Sequence, residues 1–394
     1  MKRNRSGLSL LEVVVVLGCA LIVFALLIPA VSTPREWPRR NQCSTQLKNF
    51  SLAAIQYENA RGRFPGWVMD FGNFGWDPET ETVLEQLNDP SSAPSGPLER
   101  AAEGLVPHRK VGTWAVALLP WLDAQPTYEH WTEDRYPILT RGEGATQEQS
   151  GTGFHPLAAP QFAIFQCPSD PNNDGEDNGR SSYIANTGVY FPPSDLIAGT
   201  HSIFHPDGTV KEIGFEESMS VEFGVFGNRL SARAANWDED LRVPVAEPIG
   251  LDDFKDGASN TVLFSESLHA MPWHRAGFVN DVDLMFERHP DEVVFPPLSR
   301  FTNGMVWHGV DWSNGKQPRE IHLINGNRSL TESMQMDPGN ATDLARPSSA
   351  HTDGINVSMA DGGTRYVSDS IDPRVWQALM TPRGREEIPE DALY

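Results

Sequence analysis

His351 stands nine residues before Asp361-Gly362, with Asp353 between them. An imidazole and two carboxylates in one short stretch are the makings of a metal or acid–base cluster. Around them Ile355, Val357 and Met359 alternate with Asn356, Ser358 and Ala360, Asp361-Gly362-Gly363 reads as a turn, and Arg365, Tyr366 and Val367 as the return strand. A hairpin with strands of about six residues would bring its ends near each other. A simpler role is structural: Asp361 shapes the turn and His351 caps or packs beside it. That role is preferred here.

A second group of polar residues suggests a cation. Asp170-Pro171-Asn172-Asn173-Asp174-Gly175 fits the first half of an oxygen-ligand calcium loop, with Asp170, Asn172 and Asp174 at alternate positions and Gly at the sharp turn. The twelfth position is Ser181 rather than a bidentate Glu, so Glu176 or Asp177 would have to substitute. The alternative is a solvated acidic turn. No other cofactor is suggested. Ser265-Glu266, His269 and His274 have no third partner at a readable spacing. No HExxH, GxSxG, P-loop or CxxC pattern occurs, so an enzyme is not expected. Trp67, Trp76, Trp114, Trp121, Trp237, Trp273, Trp307 and Trp312 could stack on sugars, although such residues are more often core.

The elements that would position these groups begin at a membrane-type segment. Lys2, Arg3 and Arg5 precede an apolar run from Val13 to Leu27, and between Leu8 and Val31 the ionisable groups are Glu12 and the Cys19 thiol. About 20 apolar residues span a bilayer. Basic residues on the N-terminal side predict a single-pass protein of the inner (cytoplasmic) membrane with a cytoplasmic N-terminus. The rest would be periplasmic or extracellular. Glu12 is costly in such a helix, by roughly 2.5–3.5 kcal/mol at the bilayer centre and less near an interface. The chain carries a net charge of −22, and setting the N-terminal segment aside makes the remainder slightly more acidic still. That excludes nucleic acid, which is bound by neutralising phosphates. Cys43 and Cys167 lie in the exported part, where disulfides persist. They read either as a bridge or as two free buried thiols.

Further along, Pro34 and Pro38 predict a kink or stop, because a proline inside a helix costs about 3 kcal/mol or more. Leu47, Phe50, Ala54 and Tyr57 recur at helical steps and predict a helix over Arg39 to Ala60, ended by Gly62. Trp114 to Leu122 reads as a buried strand or helix turn, and Val262 to Glu266 as a strand. Residues 373–380 read as a short helix with proline at its start. The polar stretches 76–105, 138–160 and 283–299 read as loops.

Two resemblances join these parts. Gly7, then Leu8, then Glu12 at the fifth position after the Gly, behind a short basic leader, resembles the type IV prepilin signal. It implies cleavage between Gly7 and Leu8 by a prepilin peptidase, N-methylation of Leu8, and pairing of Glu12 with the terminal amine of a neighbouring subunit. The family usually has Phe where this chain has Leu8. The His351-x9-Asp361-Gly362 spacing resembles the C-terminal element of a large bacterial family of prepilin-like proteins named for that motif. Cys43, Leu47-Lys48, Tyr57, Gly62-Arg63-Phe64-Pro65, Cys167-Pro168-Ser169-Asp170, Ser182-Tyr183 and Asp256-Gly257-Ala258-Ser259-Asn260-Thr261 resemble its other blocks. Secreted pseudopilins of this kind use calcium in loops.

The resemblance implies an α+β, pilin-like fold, a long N-terminal helix with a membrane-spanning first half packed on an antiparallel sheet with large insertions. It divides the chain into a leader (1–7), a transmembrane helix (8–33), a post-membrane helix (34–60) and a head (61–394) carrying the hairpin at 350–380. It implies no established activity, and the domain is sometimes filed under solute binding. The expected role is therefore a pilin-like or pseudopilin-like structural or assembly protein, with the membrane, the peptidase and other pilin-like subunits or further copies as partners. The alternative is a surface-tethered module that binds a solute or glycan and uses the signal only as an anchor.

Overall fold

The computed structural model describes residues 10–32, 36–74, 108–140, 153–174, 179–192, 199–204, 209–230, 245–277, 300–309, 319–326 and 334–384. Its class is α+β. The expected loops at 76–105 and 283–299 lie outside these residues.

The first helix, α1 (Leu10–Ser32), carries Glu12 in its first turn. Its side chains are described as far as Leu21, and those of Leu10, Leu11 and Val13 to Leu17 are exposed. Among the described residues, no helix is long and apolar enough to cross a membrane. The second helix, α2 (Glu36–Arg61), starts three residues earlier than expected. Pro38 falls in its first turn, where a missing N–H leaves no hydrogen bond unmade, so it neither kinks nor stops the helix. Pro34 lies outside the described residues. Gly62, at φ +70°, donates its N–H to Glu58 O and closes α2.

Next come a ribbon of β1 (Met69–Phe74) and β2 (His108–Gly112), then α3 (Trp114–Leu118) and α4 (Gln125–Thr132). The Thr113 hydroxyl caps α3 by accepting from Ala115 N, and a 3-10 turn over Leu119–Leu122 follows. Of the two readings of Trp114–Leu122, the helix turn is the one adopted. Residues 138–160 depart from a simple surface loop. Leu139–Thr140 (β3) pairs with Gly153–Phe154 (β4), while Ile138, Leu139, Ala158 and Ala159 are buried. Those few apolar side chains, diluted among polar neighbours, are what the composition hid.

The central sheet is built from β5 (Tyr183–Val189), β8 (Val262–Glu266), β9 (Gly304–Trp307), β10 (Gly354–Met359) and β11 (Thr364–Ser368). The hairpin of β6 (His201–Phe204) and β7 (Val210–Ile213) lies apart, and α5 (Ala341–Leu344) precedes β10. The strand order is β11-β10-β8-β5-β9, antiparallel except where β9 joins β5 in parallel. The last helix is α6 (Pro373–Met380), capped by Asp372 and with proline at its start.

Strand alternation sorts side chains between the two faces of this sheet. On one side Ile355, Val357 and Met359 join Val262, Trp376 and Met380 beneath α6. On the other, Tyr183, Ala185 and Phe264 meet Cys43, Leu47, Phe50 and Ala54 of α2. The Phe50 ring is the centre of that layer. It stacks on Phe165 at 4.9 Å and meets Tyr183 edge-on at 5.2 Å and Trp114 edge-on at 5.8 Å. Trp67, Trp114, Trp273 and Trp307 are buried, so they are core rather than a sugar-stacking platform. Trp76, Trp237 and Trp312 lie outside the described residues.

Candidate functional site

Alternation along β8 carries Phe264 toward Phe50, and two residues on it carries Glu266 to the same face. Glu266 is therefore a carboxylate under α2, 2% exposed. A buried charge of this kind needs partners. Asn356 of β10 supplies two, its backbone N–H donating to Oε2 at 2.7 Å and its side-chain amide to Oε1 at 3.0 Å. His351 supplies the third, with Nε2 3.0 Å from Oε1. On the other side of the imidazole, Nδ1 lies 3.6 Å from Oε2 of Glu36 in the first turn of α2. That same Glu36 oxygen accepts from Ser169 Oγ at 3.0 Å. His351 is thus held between two carboxylates, one buried and one at the surface.

Burial disfavours the imidazolium, but the hydrogen bond and charge of Glu266, with a contribution from Glu36, more than offset it. The His351 pKa consequently lies above the ordinary histidine value.

The floor of this site is a disulfide. Cys43 of α2 is bonded to Cys167, with Cα atoms 5.1 Å apart. Cys167 Sγ lies 3.6 Å from His351 Nε2 and 3.8 Å from Glu266 Oε1. Cys43, Cys167, Glu266 and His351 together place four ligand-type atoms within 4.8 Å of one another, and all four residues are buried.

The two ends of the His351–Gly362 motif do different work. Nine intervening residues span β10, so His351 and Asp361 lie at opposite ends of it, about 20 Å apart at the rise of an extended strand. The less favoured reading, with the two in one cluster, is not realised. Asp361 is exposed and accepts from Gly363 N at 2.8 Å, shaping the turn. Gly362 takes φ +84°, and a Cβ there would meet Leu52 Cδ2 of α2 at 3.0 Å. Asp353, at φ +57°, is exposed at the start of β10.

Asp170 is folded inward. Its Oδ1 accepts from Asn172 N at 2.9 Å and its Oδ2 from Ser182 Oγ at 2.7 Å. Burial raises its pKa, partly countered by those hydrogen bonds. The Asn172 amide donates to Leu268 O at 3.0 Å. The side chain of Asp174, and Glu176 altogether, lie outside the described residues, as do Gly7 and Leu8. His269 and His274 are buried singly, and desolvation lowers their pKa values to about 4 and about 3.

Glu266, Glu36 and Asn356 did not stand out in the sequence as partners of His351. One signal was there: Glu266 ends an apolar strand, where a carboxylate must be buried and must find a cation or donors.

Residues 32–374 match the family described as protein of unknown function, DUF1559. The chain belongs to this family. The matched span includes all the residues of this site, from Glu36 to Asn356, and begins beyond the Gly7–Glu12 segment. No curated protein and no solved structure matches the chain.

Proposed function

We propose that this DUF1559 chain is a membrane-anchored, prepilin-peptidase-processed, pilin-like extracytoplasmic protein with a structural or assembly role. The observation that carries the reading is in the sequence: a basic leader and Gly7 stand before an apolar run from Val13 to Leu27, with Glu12 at its start. The next helix, α2, lies along β10, β8 and β11 and is stapled to the head by Cys43–Cys167. A helix leading from an apolar segment onto a sheet that is antiparallel but for β9 is the arrangement a pilin-like subunit needs. The expected partners are the membrane, the peptidase that cuts after Gly7, and other pilin-like subunits or further copies of this chain.

Mass spectrometry of the mature N-terminus tests the reading. A chain beginning at Leu8, methylated, is expected, and an intact Met1 or a cut elsewhere overturns it. Glu12→Ala is expected to abolish crosslinking to neighbouring subunits while leaving the chain in the membrane. Undiminished crosslinking removes the assembly role.

The family's short name, SBP_bac_10, supports a second reading as a solute-binding module. A cavity lined by Trp307, His308, His322 and Trp376 is the feature to weigh against it, with a volume of about 30 Å³. That holds about one or two waters. Solute pockets are roughly ten or more times larger.

A further inference from the structure

We propose that Cys43, Cys167, His351 and Glu266 form a zinc site that becomes available when the disulfide is reduced, so that the covalent bond and the ion are alternative states of one buried cluster. The proposal stands on this cluster alone and does not depend on the anchoring argued above.

The donor set is the first reason. Two sulfurs, an imidazole nitrogen and a carboxylate oxygen are ligands zinc accepts in four-coordinate sites. The geometry is the second. Zinc–sulfur bonds of about 2.3 Å and zinc–nitrogen or zinc–oxygen bonds of about 2.0–2.2 Å make tetrahedral edges of about 3.3–3.8 Å. The distances among Cys167 Sγ, His351 Nε2 and Glu266 Oε1 are 3.6, 3.8 and 3.0 Å. Three of the four ligand atoms therefore already stand nearly as a metal would hold them. The change needed is separation of the two sulfurs by side-chain rotation.

The surroundings are the third reason. Metal-bound histidines usually give their other ring nitrogen to a carboxylate, which fixes the ring and raises its basicity. Here Nε2 faces the cluster and Nδ1 faces Glu36 at 3.6 Å. Glu266 is steadied in the same way by both donors of Asn356. A disulfide that served only as a staple needs neither a buried carboxylate nor an imidazole against its sulfur.

The chemistry balances with a dithiol donor as reductant. The donor closes its own disulfide, giving up two electrons and two protons, and Cys43–Cys167 opens to two thiols. Zinc then takes both sulfurs as thiolates and releases their two protons, together with any proton on His351, whose neutral Nε2 lone pair it binds.

Cobalt(II) is the probe, with the full chain in detergent and Cys19→Ser removing the one other thiol. After reduction by a phosphine, one cobalt per chain is expected, with a thiolate-to-cobalt charge-transfer band and the visible absorption of a tetrahedral ion. The oxidised chain is expected to show neither. Zinc should displace the cobalt and suppress alkylation of Cys43 and Cys167. Glu36→Gln, at a half-exposed position that leaves the core intact, should weaken metal affinity about 10–100-fold; an unchanged affinity removes Glu36 from the site. If reduction unfolds the chain, zinc is expected to restore its circular dichroism. The proposal is overturned by a reduced chain without the thiolate band, by equal uptake in both redox states, or by unfolding that zinc does not reverse.

Discussion

At the scale of single residues, His351 is set apart from the other buried histidines by the sign of its response to pH. Its pKa is raised, so the native state holds a proton that the unfolded chain releases sooner. The stabilisation this gives is complete below the ordinary value of 6.5 and is lost as pH climbs through the raised folded value. Denaturant unfolding of wild type and His351→Gln should therefore differ most at mildly acid pH, with the gap narrowing toward alkaline pH. A gap that widened instead would mean the imidazole is neutral beside Glu266. Gly362 makes a different test. Its left-handed φ and its contact with Leu52 predict that Gly362→Ala costs about 1–2 kcal/mol. His351 chemistry should be untouched, because the hairpin tip lies at the far end of β10. Equilibrium unfolding reads the cost.

Among the elements, α2 is held to the sheet by unlike devices along its length. The disulfide holds Cys43, Ser44 Oγ donates to Thr364 Oγ1 at 2.9 Å, Arg40 lies 4.4 Å over the Tyr366 ring, and Phe50 fills the aromatic layer. The disulfide closes a loop of 124 residues. Cys43→Ser with Cys167→Ser should thus lower stability by about 5 kcal/mol in the absence of metal, mainly by releasing entropy to the unfolded chain. A shift in denaturant midpoint worth less than about 1 kcal/mol would show that the other contacts suffice. Elements such as these were readable where their signals are local. The β10–β11 hairpin shows its period and its turn within fifteen consecutive positions, and α2 shows its inward stripe. Pro38 misled because whether a proline breaks a helix depends on where the first turn begins, which only the packed start at Glu36 reveals. Glu266 and His351 were unreadable as a pair because a sheet register brings them together across 85 positions. Cys43 and Cys167 could be proposed as partners only because few thiols compete.

For the molecule as a whole, buried histidines set the acid limit of the fold. His269, His274 and His308 are all held neutral by desolvation, His269 with a pKa of about 4, His274 with one of about 3 and His308 well below 6.5. The unfolded chain takes up these protons near pH 6.5 and the native chain does not, so stability falls as pH drops from 6.5 toward those lower values. Circular dichroism melts across that range should show a falling midpoint. A midpoint flat from pH 6.5 to pH 4 would show that these rings gain water or partners on acidification. The site proposed for zinc adds nothing to this loss, since the stabilisation from His351 is already complete below 6.5. Acid should therefore loosen the head around His269, His274 and His308 before it loosens the clamp on α2.

Within β10, Gly354–Met359, alternation acts as a parity rule. Successive side chains take opposite faces, which lets Asn356 reach Glu266 while Ile355 and Val357 lie under α6. Deleting one residue within β10 would exchange the faces for every residue between the cut and the end of the strand. Amide and hydroxyl groups would then enter the apolar layer against Trp376, and aliphatic side chains would be set against the Glu266 carboxylate. Removing two neighbouring residues keeps the faces and shortens the strand, so it should be the milder lesion although twice as much chain is lost. Expression and melting of the two deletions would rank them, and an order set by length rather than by odd and even would refute the rule.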